Sequence, residues 1–168
     1  SSYAQAAAMA MGRAMDDVII TAATGTAYTG ETGSGTESAQ TAIAASVGTG
    51  TGLNITKLRT AKQLLDLADV DPSIPRHIVC GPEQITNLLG TTEVTSSDFN
   101  TIKALVHGEV DSFLGFKFTT STRLAKSGND RTVIAFAQDG ITLGIGKDIS
   151  ARIDERADKS YATQVYYC

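Results

Sequence analysis

The sequence predicts an α+β protein that begins with a long helix and ends in β-strands. Apolar residues recur every three or four positions through residues 3–23 and 54–68, which is the spacing of amphipathic helices. Towards the other end of the sequence, apolar and polar residues alternate, which is typical of half-buried strands. A chain of 168 residues is long enough for one domain with a hydrophobic core, or for one such domain with an additional extended segment.

The chain is mildly acidic, with a formal net charge of −4. Proteins that read nucleic acid through a broad basic face need clustered Lys and Arg, so this class is disfavoured. No apolar run approaches the roughly 20 residues that cross a bilayer. The first residues do not fit a signal peptide, because Arg13, Asp16 and Asp17 interrupt the apolar core that a signal peptide needs. Two cysteines do not make a disulfide framework. We therefore expect no membrane contact and synthesis in a reducing cytoplasm.

Residues 3–23 are predicted to form one helix, about 30 Å long at roughly 1.5 Å per residue. One face carries a stripe of apolar residues: Ala4, Ala8, Met11, Met15, Ile19 and Ala22. Small residues such as Ala6, Ala10 and Gly12 fill much of the remaining surface. Another backbone could therefore approach this helix closely.

Residues 24–52 are predicted to form a flexible, extended surface loop, because a segment rich in Gly, Thr, Ser and Ala buries too little apolar surface to offset its ordering entropy. Within it, "TAIAASV" could be a short strand or a helical turn. The stretch "GTAYTGET" has the glycine spacing of a phosphate-binding P-loop, but Glu31 stands where that motif needs Lys. An anion repels phosphate, and the stretch follows a helix instead of a strand, so we predict no nucleotide site.

The second helix is predicted from Asn54, a favourable N-cap residue, to about Ala68. Its charges oppose the helix dipole, since the basic residues come early and the acidic residues late. The apolar stripe consists of Leu58, Ala61, Leu64, Leu65 and Ala68, the early bases are Lys57, Arg59 and Lys62, and the late acids are Asp66 and Asp69.

The middle of the chain is predicted to hold a turn at "VDPSIPR", a buried strand at "HIVCG" and two further helices. Pro82 opens the first of these helices and Gly90 ends it. Ser96 or Ser97 caps the second, "DFNTIKALVHG", which ends at Gly108.

The last third is predicted to be β-structure. In "FLGFKFTTST" two phenylalanines alternate with Lys117, and "RTVIAFA" reads as an apolar strand. The Asp139-Gly140 dipeptide predicts a hairpin turn from which "ITLGIG" returns. "ISARIDER" and "SYATQVYY" are predicted to pair as a long antiparallel hairpin. The strand pattern continues to Cys168, which leads us to expect a fragment of a longer protein.

The sequence predicts no enzyme, no cofactor and no metal site. His77 and Cys80 lie three apart in a predicted strand, so their side chains point to opposite faces. We expect Cys80 to be a core thiol and His77 to lie at the strand edge. His107 comes in the last helical turn, where the dipole favours its cationic form. The histidines, cysteines and acidic residues do not have the spacing of metal ligands.

Several stretches in order resemble the major capsid proteins of tailed bacteriophages that have the Hong Kong 97-type fold. They are "AMAMGRAMDDVIITAATGTAYTG", "TKLRTAKQLLDLADVDP", "FNTIKALVHGEVDSFLGFKF" and "GITLGIGKDISARIDERADKSYATQVY". The resemblance covers nearly the whole chain and weakens at residues 31–52 and around 124–130.

The resemblance implies a place in the fold for each part of the chain. Residues 1–29 resemble the spine helix of a peripheral domain, and residues 30–140 resemble an axial domain that carries the loop at 24–52. Residues 141–168 resemble the strands that return to the peripheral domain. Family members also carry an N-terminal arm, an extended loop and a last strand that have no counterpart in these residues, so the resemblance indicates a central fragment.

The resemblance also implies a structural virion protein that is made in the bacterial host cytoplasm. Such a protein assembles with itself into pentamers and hexamers of an icosahedral head around double-stranded DNA. Scaffolding and portal proteins are possible further partners, and contact with DNA is expected to be weak because the chain is acidic. One alternative is an encapsulin-type shell around protein cargo, and another, from a different class, is a small nucleotide-binding or hydrolytic enzyme.

Charged residues of the second helix are candidates for contact between subunits. Basic residues near the start and acidic residues near the end interact unfavourably with the helix dipole, which slightly destabilises the helix. This makes sense if Lys57, Arg59 or Lys62 meets an acid of an adjacent subunit, and we name Glu109 and Asp111 as the candidate acids. A merely solvated helix face is the alternative interpretation.

Overall fold

The computed structural model describes residues 2–28, 35, 37–38, 41–48, 50, 52–90, 96–146, 151–156 and 162–167. The chain divides into two compact units. One unit joins residues 1–19 to residues 143–168, and the other runs continuously from residue 20 to residue 142. The first unit is therefore built from two segments that are distant in sequence.

Helix α1, Ser2–Thr24, confirms the helix predicted for residues 3–23. The predicted stripe is partly covered at Met11, Met15 and Ile19, but Ala8 and Ala22 are exposed. The partly covered neighbours of these two residues are Ala7, one position before Ala8, and Ala23, one position after Ala22. No residue of α1 is buried, and large apolar side chains are exposed along it, namely Tyr3, Met9 and Val18. The helix thus presents apolar surface to its surroundings.

Strands β9, Ala151–Arg156, and β10, Ala162–Tyr167, form an antiparallel pair in the same unit as most of α1. The register places Ile153 opposite Val165 and Ala151 opposite Tyr167. The predicted pairing of these two segments is confirmed. The "ADK" connection predicted between them lies outside the described residues.

Part of the Gly/Thr-rich segment has regular structure that the composition did not predict. Strand β1, Ala27–Tyr28, pairs antiparallel with β2, Glu37–Ser38. Further on, "TAIAASV" contains a turn in which the Val47 N–H donates to the Ala44 carbonyl at 3.1 Å, and Ile43 packs against the core. Backbone pairing needs no large apolar side chains, so the loop predicted over 24–52 is wrong at β1 and β2. The turn at 44–47 agrees with the helical-turn alternative for "TAIAASV".

The continuous unit is built around a four-stranded sheet with the order β4-β5-β3-β8. Strand β3, Arg76–Cys80, lies parallel to β5, Phe116–Thr120, and antiparallel to β8, Ile134–Ala137. Strand β4, Ser112–Phe113, pairs antiparallel with β5. Helices α2, Ile55–Leu67, α3, Pro82–Leu89, and α4, Ser96–His107, contribute to the same core. The described part of the chain is thus α+β, as predicted.

The core residues lie at the positions that the periodicity predicts for most elements. Phe116 and Phe118 are buried while Lys117 between them is exposed. The buried apolar side chains include Ile55, Leu58, Ala61, Ile78, Cys80, Leu88, Ile102, Leu105, Phe113, Phe116 and Phe118. Ala68 is exposed, contrary to the predicted stripe, because α2 ends at Leu67 and the chain turns away.

Helix α2 has the predicted N-cap and an unusual end. The Asn54 side chain accepts a hydrogen bond from the Lys57 N–H at 2.8 Å, and its Nδ2 donates to the Val47 carbonyl at 2.9 Å. At the other end, Asp69 has a left-handed backbone with φ of 56°, and the Val70 N–H donates to the Leu65 carbonyl. Glycine usually occupies this position after a helix, so Asp69 is strained there.

Helix α4 ends as predicted at Gly108, which has φ of +77°. The Glu109 N–H donates to the Ala104 carbonyl at 2.9 Å, which completes a Schellman-type stop. The turn between β4 and β5 consists of Leu114 and Gly115, both with positive φ, as a two-residue hairpin with the right-handed twist of its strands requires.

The hairpin predicted at Asp139-Gly140 is wrong. Residues Gln138–Gly140 form a short 3₁₀ turn, and neither Asp139 nor Gly140 has the positive φ that a type I′ turn needs. The segment 141–145 is described and contains no strand, so "ITLGIG" does not form the second strand of a hairpin. A hairpin lies instead between β6, Lys126–Ser127, and β7, Asp130–Arg131, where Gly128 has φ of +62°.

Candidate functional site

The candidate cations on α2 have different surroundings. Lys57 Nζ donates to the Gly52 carbonyl at 2.7 Å, so its ammonium is engaged within the chain. Partial burial lowers the pKa of Lys57, and the nearby carboxylate of Asp130 opposes this shift. Arg59 and Lys62 are exposed, one turn apart, and neither forms an ion pair with any residue that the structure describes.

The candidate acids follow the end of α4. Asp111 lies 3.4 Å from Lys117 Nζ, and both side chains are more than half exposed. Such an exposed pair contributes about 0–1 kcal/mol to stability. Glu109 is exposed. Within the described residues, no ion pair joins these acids to Arg59 or Lys62, so a contact between the two groups would have to come from another subunit.

Arg76 is a buried charged residue that sequence reasoning missed. Its side chain is 6% exposed, and Nη2 contacts Asp66 Oδ1 at 2.6 Å and the Val70 carbonyl at 3.2 Å. These bonds tie the end of α2 and the following turn to the start of β3. Its Nε is buried and has no hydrogen-bond partner. The sequence indicates only that an arginine lies beside a predicted strand. It does not indicate that this residue is buried, and it does not identify the acid that pairs with it.

Two hollows have Arg76 in their walls, and both are open at the surface. The larger, of about 510 Å³, extends along the β4–β5 turn to Lys117. The smaller, of about 410 Å³, reaches Lys62 and Asp66 on α2. They share Pro75, Arg76 and Gly115. One candidate contact residue, Lys62, therefore lies at the wall of a hollow, beside the buried arginine.

Cys80 is a core thiol, as predicted. It is free and fully buried, and burial raises the pKa of its thiol to about 11. His77 lies on the other face of β3, which confirms that the two side chains cannot meet. His77 is not at a sheet edge, however, because β3 is flanked by β5 and β8, and its ring stacks on Phe136 with the centroids 5.6 Å apart.

The other sequence candidates for chemistry find no support in the described residues. Gly25 and Thr26 follow α1 and lead into β1, so the start of "GTAYTGET" has a helix-to-strand setting, whereas a P-loop connects a strand to a helix. Glu31 lies outside the described residues. No group of three His, Cys, Asp or Glu side chains in the described ranges could hold a metal ion. No helix among these residues is both long and apolar enough to span a membrane.

The described residues thus show exposed charged candidates, two open hollows and exposed apolar side chains on α1. The comparison with protein families identifies the class of protein. The model of the family described as phage capsid protein matches residues 1–168. The chain therefore belongs to the phage capsid protein family.

Membership in this family makes the chain a structural protein of the phage capsid and places it in the virion. Capsid proteins are structural and not enzymatic. No curated protein matches the chain. No solved structure matches it either.

Proposed function

We propose that copies of this protein assemble into the capsomers of an icosahedral head that encloses double-stranded DNA, and that the subunit has the Hong Kong 97-type fold. The observation that supports this most strongly is the order of the two units along the chain. Most of α1 and the β9–β10 pair belong to one unit, and the continuous mixed unit is inserted between them in sequence. A spine helix and its return strands, with an axial domain between them, would have this order.

The proposed domains are a peripheral domain made of residues 1–29 and 141–168 and an axial domain made of residues 30–140. The observed division falls after residue 142, two residues from the proposed limit, and after residue 19, ten residues before the proposed limit. The four-stranded sheet and helices α2 to α4 then belong to the axial domain.

The exposed surface of α1 supports assembly with further copies. Its 23 residues include none that is buried, although Tyr3, Met9 and Val18 are large and apolar. Covering apolar surface removes it from water, which favours association. Because these three side chains project from different sides of the helix, neighbouring copies would have to cover it from more than one side.

Contact between the α2 cations and the acids after α4 of a neighbouring subunit is part of the proposal. Arg59, Lys62 and Glu109 are exposed and available for it. Lys57 and Asp111 already have partners within the chain, at Gly52 and Lys117. Charge reversal by Arg59→Glu is expected to reduce capsomer formation, and an unchanged yield would contradict this role for Arg59.

We further propose that the protein is made in the host cytoplasm, that scaffolding and portal proteins join its assembly, and that it contacts packaged DNA only weakly. The net charge of −4 supports weak DNA contact. Particles isolated from phage-producing cells test the enclosed cargo. Nuclease-resistant double-stranded DNA inside them is the expected result, whereas shells filled with protein and free of DNA would favour the encapsulin-type alternative.

A further inference from the structure

We infer that the two hollows beside Arg76 form one docking recess that receives an acidic side chain from a second copy of this chain. The inference rests on the proposed self-assembly and adds the place and the chemistry of one contact. We define the Arg76 recess by Lys62, Pro75, Arg76, Gly115 and Lys117. All of these residues belong to the continuous unit.

The shape of the recess suits a protein side chain. Its two parts have volumes of about 510 and 410 Å³, and both open at the surface. Small-molecule pockets bury most of their ligand, which such open hollows cannot do. A protruding side chain brings its own backbone and neighbouring surface, and these can cover the remaining opening.

The charge of the recess suits a carboxylate. Three cationic side chains line it, those of Lys62, Arg76 and Lys117. Two acids accompany them, since Asp66 pairs with Arg76 and Asp111 with Lys117, so the cations still outnumber the acids by one. The chain as a whole carries a net charge of −4, so the recess is a positive site on a negative molecule. In a shell made of many copies, the surface that faces this recess belongs to another copy and is acidic on average. Complementary charge of this kind fixes the register between partners.

Arg76 is paired with a carboxylate and keeps one unsatisfied donor. Asp66, its carboxylate partner among the described residues, is 49% exposed, and the buried Arg76 Nε has no hydrogen-bond partner. Because Asp66 neutralises Arg76, the cation that a carboxylate from another copy would balance at the open side is Lys62. Packaged DNA fits less well, because proteins that hold the phosphate backbone use basic stripes along several phosphates.

Lys62 offers the most direct test, because its exposed side chain can be changed without disturbing the core. Lys126, on β6, is a matched control, since it is exposed, belongs to the same unit and lines neither hollow. Lys62→Glu, Lys62→Met and Lys126→Glu would be made in the capsid protein produced at its natural length. Thermal unfolding of the unassembled variants should match that of the parent.

Assembly of these variants is followed by light scattering and size-exclusion chromatography. Lys62→Glu is expected to raise the protein concentration needed for half-maximal capsomer formation by about tenfold or more, because it places like charges together. Lys62→Met should have a smaller effect, and Lys126→Glu should have none. If the parent assembles and Lys62→Glu behaves like Lys126→Glu, the recess proposal is wrong while the proposed function stands. If the parent forms no capsomers, both are wrong.

Carbodiimide crosslinking identifies the occupant, since it joins a lysine amine directly to a carboxylate. Capsomers assembled from mixed light and heavy isotope-labelled protein are treated and digested. We expect Lys62 peptides joined to acidic peptides of the opposite label. A crosslink from Lys62 to Asp66 of the same chain, one turn later on α2, gives only same-label products. Finding only those products, or protection of Lys62 by a DNA duplex without any opposite-label product, would overturn the inference.

Discussion

Removal of the Asp66 carboxylate should destabilise the protein, because it leaves the Arg76 guanidinium buried without a counter-charge. The two side chains are 2.6 Å apart, and Arg76 is 6% exposed. Removing one partner of a fully buried ion pair costs about 3–5 kcal/mol. Asp66 is 49% exposed, so water screens the pair in part, and an acid near the end of a helix is slightly unfavourable. We therefore expect Asp66→Ala to lower the free energy of unfolding by about 2 kcal/mol.

The assay is thermal unfolding followed by circular dichroism on the unassembled protein. A loss of about 2 kcal/mol corresponds to a fall in Tm of about 4–8 °C for a chain of this size. Asp66→Asn keeps an acceptor oxygen and should lose less. In an Arg76→Met background, Asp66→Ala should cost little, because no buried charge is left unpaired. A Tm within about 1 °C of the parent for Asp66→Ala, or an equal loss in both backgrounds, would refute this reasoning.

Three further predictions concern single positions. Asp69→Gly should raise stability by about 1 kcal/mol, because glycine adopts the left-handed backbone seen at φ of 56° without strain. Gly81→Ala should lower stability by about 1–2 kcal/mol, since its Cβ would lie 2.5 Å from Gln84 Oε1, which accepts the Gly81 N–H, and 2.7 Å from Arg131 Cδ. For Cys80, burial raises the thiol pKa from 9.0 to about 11, so the folded state holds the proton more tightly. The contribution of Cys80 to the free energy of unfolding should then fall by about 1.4 kcal/mol per unit as pH rises from 9 to 11, and Cys80→Ala should remove that part of the slope.

Chemical denaturation measures these effects, and each has a control. Asp69→Ala removes the charge but keeps the backbone strain, so a gain equal to that of Asp69→Gly would show that charge is the cause. Gly144→Ala meets no atom within 4 Å and should leave stability nearly unchanged. Equal slopes against pH for the parent and Cys80→Ala would contradict the explanation from thiol burial.

Local signals in the sequence predicted much of the fold. The Asn54 cap, the Gly108 stop and the alternation around Lys117 depend on neighbouring residues, and each is present as predicted. The Asp139-Gly140 hairpin failed because a dipeptide does not determine its backbone angles. The Gln138 N–H there donates to the Pro75 carbonyl, a contact that the local sequence does not reveal.

The candidate site was less predictable, because it depends on contacts between distant elements. The pairing of Arg76 with Asp66 joins a strand to a helix across a turn, and the hollows beside it also need the β4–β5 turn. Lys62 was a candidate because its charge is unfavourable near the start of a helix, but the sequence could not show that Lys62 lies near Arg76. Whether the five candidate residues contact a neighbour remains a prediction that assembly experiments test.

Electron microscopy of the protein produced at its natural length tests the proposed function most directly. Purified material imaged in negative stain should show rings of five or six subunits or closed icosahedral shells. In a reconstruction, the exposed apolar side chains of α1 (Tyr3, Met9 and Val18) should be covered by neighbouring copies. A population of small monomers without rings or shells, at concentrations where capsid proteins assemble, would contradict the proposal.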